Sequence, residues 1–90
     1  MPVLREAQYH KMRITILRKI YSKGAWGKGH MLLDNLRSGI PSHLRGNVAD
    51  VVKDLVKAGL VKFYGPTARG PAYHLNIGRK KEIETELMIR

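Results

Sequence analysis

Valine or leucine stands at positions 48, 51, 52, 55 and 56, the i, i+3, i+4, i+7, i+8 spacing that lines one side of an α-helix. Asn47, Asp50, Lys53, Asp54 and Lys57 fill the other side, and Gly59 is placed to end the helix in a left-handed conformation. Pro41 suits a first helical turn, Ser42 or Asn47 can cap it, and Gly46 marks a break or close contact near the start, so the helix is expected over about residues 42–58. A run of β-formers then begins at Leu60. The turn-rich stretch GPTARGPA follows, and the alternation around AYHLN returns the chain, which predicts a hairpin with a long tip over about residues 60–76.

The flanking segments supply partners for that helix. From Arg5 to Tyr21 there is no Gly or Pro, and Ile14, Leu17 and Tyr21, with Ile16 and Ile20 alongside, predict a helix over about residues 5–22. Arg13, Arg18, Lys19 and Lys23 make it basic and amphipathic, a pattern shared with membrane-surface segments, but so small a domain needs its longest apolar stripe for a core. KGAWGKG reads as a turn with Trp26 plugging the core edge, stacking on a base being the alternative. Met31, Leu32, Leu33 and Leu36 predict a second helix over about residues 30–37, ended by Ser38 and Gly39. Asn76 can cap a last helix over about residues 79–89, where Ile83 and Leu87 form a narrow stripe with Met88 and Ile89 beyond. These apolar residues either fold back on the first helix or join a second copy of the chain. One domain spanning residues 1–90 is expected.

Charge narrows the partners. Lys and Arg outnumber Asp and Glu by 17 to 7, a net charge of +10, and the signs are poorly mixed. Every charged residue from Leu55 to Lys81 is basic, and Glu6 is the one acid before Asp34. The imbalance favours a polyanion: DNA, RNA or an anionic membrane. With no cysteine, disulfides, thiolate zinc sites and cysteine nucleophiles are excluded. No apolar run approaches the roughly 20 residues of a membrane-spanning helix, so no membrane partner and a soluble, cytoplasmic protein are expected, associated with the nucleoid if the source is archaeal or bacterial.

The order helix, helix, helix, hairpin, with VADVVKDLVKAGLV leading into KFYG and AYHLN, resembles the winged helix-turn-helix family. DNL followed by GIPSHLRGNV, the Lys-Ala-Gly-Leu-Val exit, the Gly-Pro-Thr turn and the HLN strand end are similar to those of small basic winged-helix proteins common in archaea. The resemblance implies an α+β fold: a three-helix core with a β-hairpin wing and a C-terminal helix. It also implies double-stranded DNA binding by a transcriptional regulator or chromatin-associated protein, with the third helix in the major groove and the wing on the backbone. Ser42, His43, Arg45 and Asn47 then stand at the leading turns, where arginine can read guanine and asparagine adenine. Lys53, Lys57, Lys62 and Arg69, with the run Arg79, Lys80 and Lys81, are the expected phosphate contacts. Asp50 and Asp54 sit awkwardly on the same face; pairing with Lys53 and Lys57 three residues on is one resolution, and Asp50 accepting from cytosine another.

No catalytic constellation, cofactor motif or metal site is expected. His10, His30, His43 and His74 fit no compact ligand spacing, His30 and Asp34 alone do not close a site, and no nucleophile or glycine-rich phosphate loop accompanies the acids. Two alternatives to duplex DNA stay open. RNA or ribosome binding is favoured if Trp26, Tyr64 and Tyr73 share a basic face, and a protein-interaction module is favoured by Asp50 and Asp54.

Overall fold

Helix α1 (Glu6–Lys23) places Met12, Ile16, Leu17 and Ile20 three or four residues apart, and all four are buried. It ends where Gly24 turns left-handed, φ +72°, and donates its amide to the Ile20 and Tyr21 carbonyls. The computed structural model describes residues 5–26 and 29–88. Gly27 of the predicted turn and Ile89 of the predicted last helix lie outside them.

The predicted second helix is divided. Met31 and Leu32 form a short strand, β1 (Met31–Leu32), before α2 (Leu33–Arg37) begins. Leu32 occupies the N-cap position with no side-chain bond to the helix, so nothing local fixes an earlier start. Pairing with a free sheet edge prevails instead. A 3₁₀ turn, Ser42–Leu44, then leads into α3 (Arg45–Lys57). Neither Ser42 nor Asn47 is the cap: Pro41 and Leu44 hold those positions without side-chain bonds.

Val48, Val51, Val52 and Leu55 of α3 are buried, each worth roughly 1.5–3 kcal/mol relative to exposure. Val56, the last residue of the stripe, is 37% exposed. It lies at the margin of the apolar arc, facing a groove beside the hairpin. Gly59 takes the expected positive φ, +82°.

The hairpin's strands run longer and its tip is tighter than the sequence suggests. Strands β2 (Val61–Thr67) and β3 (Gly70–Leu75) pair antiparallel as far as Thr67 opposite Gly70, leaving Ala68 and Arg69 as the turn. The Thr67 hydroxyl closes it, donating to the Gly70 carbonyl at 2.7 Å and accepting from the Arg69 amide at 3.1 Å. Pro66 stands opposite Pro71. Both lie beyond the reach of β1, whose partners are Tyr73 and Ala72, so their missing N–H groups leave no third strand unpaired. The sheet order is β1-β3-β2, with an isolated parallel bridge from Trp26 to Leu75. Phe63 pairs with Tyr73 and Gly65 with Ala72, which leaves Tyr64 as the extra residue of a bulge.

Asn76 stitches the base of the hairpin. Its amide donates to the Leu60 carbonyl at 2.9 Å, its side-chain Nδ2 to the Gly59 carbonyl at 2.7 Å, and its Oδ1 accepts from the Gly78 amide at 3.1 Å. A 3₁₀ turn, Ile77–Arg79, then precedes α4 (Lys80–Glu86). Ile83 and Leu87 are buried in the cluster that also takes residues from α1, α2, α3 and the hairpin. Ile83 and Leu87 thus fold back toward α1, whereas Met88 is 88% exposed. The Arg13 guanidinium forks onto Glu86 at 2.7 and 2.9 Å, and the Tyr21 hydroxyl donates to Glu84 at 2.7 Å. The result is an α+β fold, helices followed by a hairpin on a three-stranded antiparallel sheet, compatible with a winged-helix layout.

Candidate nucleic-acid interface

Because α3 runs straight into β2, its outer side and the hairpin flank a common groove. Asp50, Lys53, Asp54, Val56 and Lys57 line it from the helix, Phe63 and Tyr73 from the strands, around about 590 Å³. Phe63 and Tyr73 are a cross-strand pair, 5.6 Å between ring centres at 62°, and Phe63 is 52% exposed. Strand alternation turns Lys62 and His74, opposite one another, to the reverse face of the hairpin.

The residues proposed from sequence fall in three places. Ser42, His43 and Arg45 are exposed at the leading end of α3, and Arg45 Nε donates to the Ile40 carbonyl at 3.0 Å. That bond fixes the inner edge of the guanidinium at the turn into the helix. Lys53 and Lys57, one helical turn apart, share the groove, while Lys62 is exposed on the reverse face of the hairpin and Arg69 at its tip. The third group lies elsewhere. Lys81 sits in a hollow with Arg13, Ala58 and Leu60, past the C-terminal end of α3, and the 13 residues of that helix place this end about 20 Å from Arg45. Lys80 is exposed next to it, and Arg79 Nη1 is held by both Glu82 oxygens at 3.1 Å.

Asn47 is not on this surface. It is 6% exposed, which removes it as an adenine reader in this conformation. Its spacing carried the signal: Asn47 stands three residues after Leu44 and four before Val51, both packed in or against the core.

The two aspartates also differ from expectation. The ion pairs found among the described residues are Arg13–Glu86, Arg37–Asp34 and Arg79–Glu82, so neither Asp50–Lys53 nor Asp54–Lys57 is formed. Asp54 instead accepts from the Tyr9 hydroxyl of α1 at 2.8 Å. Burial, then the Asp54 bond, pushes the Tyr9 phenol above its ordinary range. Nearby Arg13 opposes that rise, and its own guanidinium is held protonated chiefly by Glu86. Asp54, Tyr9, Arg13 and Glu86 thus form a polar chain joining α3, α1 and α4. Asp54 has a structural use, which leaves Asp50 as the acid without one.

The aromatic residues divide as well. Trp26 is half-buried, packed against the core and edge-on to Tyr21 at 5.5 Å and 77°, as a plug. Tyr73 also packs against the core, whereas Tyr64 is 46% exposed and stacks on His30 at 4.2 Å and 17°. Asp34 pairs with Arg37 rather than with His30. Exposure of Phe63 was missed from sequence, where it read only as a strand-former, and exposure of Tyr64 was left open there. No helix among the described residues is long and apolar enough to cross a membrane. Comparison of the chain with protein families, characterised proteins and solved structures returns no match.

Proposed function

We propose that this chain is a non-enzymatic double-stranded DNA-binding protein of winged-helix type, acting as a small transcriptional regulator or chromatin-associated protein. The observation that carries the reading is the pair Lys53 and Lys57, exposed on α3 without a carboxylate partner among the described residues, beside a hairpin whose tip presents Arg69. In this mechanism α3 enters the major groove and the hairpin lies along the backbone. Lys53, Lys57, Lys62 and Arg69 meet phosphates, and Arg45, with Nε already engaged, offers its terminal amino groups to guanine. Ser42 and His43 stand beside it for backbone or base-edge contacts.

Four such phosphate contacts imply a log-log salt slope of about −3.6 on random duplex DNA. Titration of the duplex and of single-stranded RNA of equal length, each across a salt series, tests this. A slope near zero on the duplex sinks the reading, and tighter binding to the RNA transfers it to that polymer.

A second reading takes support from the groove itself. Val56, Phe63 and Tyr73 between carboxylates and lysines also suit a protein partner, with the basic charge incidental. It predicts that reversing Arg45, Lys53 and Arg69 together leaves nucleic-acid affinity unchanged.

A further inference from the structure

We infer that the outer face of the hairpin, formed by Lys62, Tyr64 and His74 with His30 packed beneath, is a stacking site for an unpaired DNA base next to a bound duplex. The setting rests on the duplex-binding reading, while the site rests on Tyr64, His30 and His74, which that reading does not otherwise explain. Lys62 stands opposite His74 on this face. The bulge brings Tyr64 beside them, its ring edge-on to His74 at 6.3 Å and 86°. His30, just before β1, lies nearly parallel to the Tyr64 ring at 4.2 Å and 17°.

One side of that ring is therefore covered by an imidazole, yet the residue keeps 46% of its surface exposed. A ring held on one side and at its edge has little rotamer freedom left to lose, so a flat ligand meets a prepared surface. Nucleobases are flat, and each has a π-face that stacks on tyrosine without regard to sequence.

Charge selects the polyanion. Lys62 is exposed and takes part in none of the ion pairs among the described residues, and every charged residue from Leu55 to Lys81 is basic. The groove on the opposite face, with Lys53 and Lys57, is taken up by the duplex in the duplex-binding reading, which leaves this face for a further strand. Paired bases in a duplex are stacked and out of reach, so the base at Tyr64 must be unpaired. A strand continuing from a duplex held at α3 is DNA.

The test compares a blunt duplex with the same duplex carrying a short oligo(dT) tail. The tail is expected to raise affinity about 5- to 150-fold, the range that stacking of one base corresponds to. Tyr64→Leu, which keeps apolar cover over His30, removes that gain and leaves blunt-duplex affinity within about twofold, while Tyr64→Phe keeps it. Failure of the duplex reading is separately visible: the blunt duplex shows no salt-dependent binding, yet free oligo(dT) is still bound through Tyr64. The inference is overturned if the tail adds nothing, if Tyr64→Leu weakens blunt and tailed duplexes alike, or if an oligo(rU) tail gives the larger gain.

Discussion

Replacing Lys53, Lys57 and Arg69 together by glutamine tests the groove and hairpin as the phosphate-contacting surface. None of the three belongs to an ion pair among the described residues, so their removal strands no carboxylate, and such surface changes usually alter stability by no more than about 0.5 kcal/mol. Lys62 remains, and one phosphate contact in place of four moves the salt slope from about −3.6 to about −0.9. Between about 50 and 200 mM salt the native chain then loses roughly 150-fold in affinity for random duplex DNA, and the variant only about 3- to 4-fold. Fluorescence anisotropy of a labelled duplex across that range reads both slopes directly. Lys80→Gln with Lys81→Gln is the control, because those residues lie past the far end of α3 and the slope should stay near its native value. An unchanged slope in the triple variant, or an equal fall in the control, refutes the assignment.

Asp50→Asn removes an exposed carboxylate from the same groove. At about 8 Å in water one such charge opposes a phosphate by about 0.5 kcal/mol, so duplex affinity should rise roughly twofold, whereas the protein-partner reading predicts no change. Glu86→Gln weakens the fork to Arg13, whose side chains are 20% and 23% exposed, and should cost about 1–2 kcal/mol, lowering Tm by roughly 5–15 °C. The exposed Arg37–Asp34 pair, broken by Asp34→Asn, should change Tm far less, and equal effects would contradict the clamp. The raised pKa values of Tyr9 and Tyr21 mean that folding favours their protonated phenols. Their contribution is complete below the unfolded value of about 10 and is lost as pH rises through the higher folded value. Urea midpoints measured across that alkaline window should fall less steeply in the Tyr9→Phe/Tyr21→Phe variant, which is also less stable at neutral pH.

What could be read in the sequence was what neighbouring residues decide. The spacing of Val48, Val51, Val52 and Leu55 sets the packed side of α3 whatever lies opposite, and Gly59 ends it because its own backbone permits φ +82°. Ser42, His43, Arg45, Lys53, Lys57, Lys62 and Arg69 are exposed as a polar pattern implies. What was not legible depends on distant partners. β1 exists because β3 has a free edge at Ala72 and Tyr73. Asp54 is matched to Tyr9, 45 residues away, and its relation to Lys57 gave no hint of that. Tyr64 faces His30 only because a bulge in β2 shifts the register between Phe63 and Gly65. Asn47 was read as polar and therefore outward, although the Leu44 and Val51 spacing already placed it on a packed side.

The Asn76 stitch has a kinetic consequence. Opening the hairpin at its base requires releasing the Gly59 and Leu60 carbonyls and the Gly78 amide through a single residue, and Leu75 is tied as well, its amide donating to Ala25 at 2.8 Å. At the tip the Arg69 amide is tied only to the neighbouring Thr67 hydroxyl. Amide hydrogens at Leu60, Leu75 and Asn76 should therefore exchange with solvent only on near-global unfolding, and those at the turn on local fluctuation. The hairpin is thus anchored where the last turn of α3 ends and free of such ties at its tip, so a displacement imposed at Arg69 would be absorbed along the strands before it loads the helix.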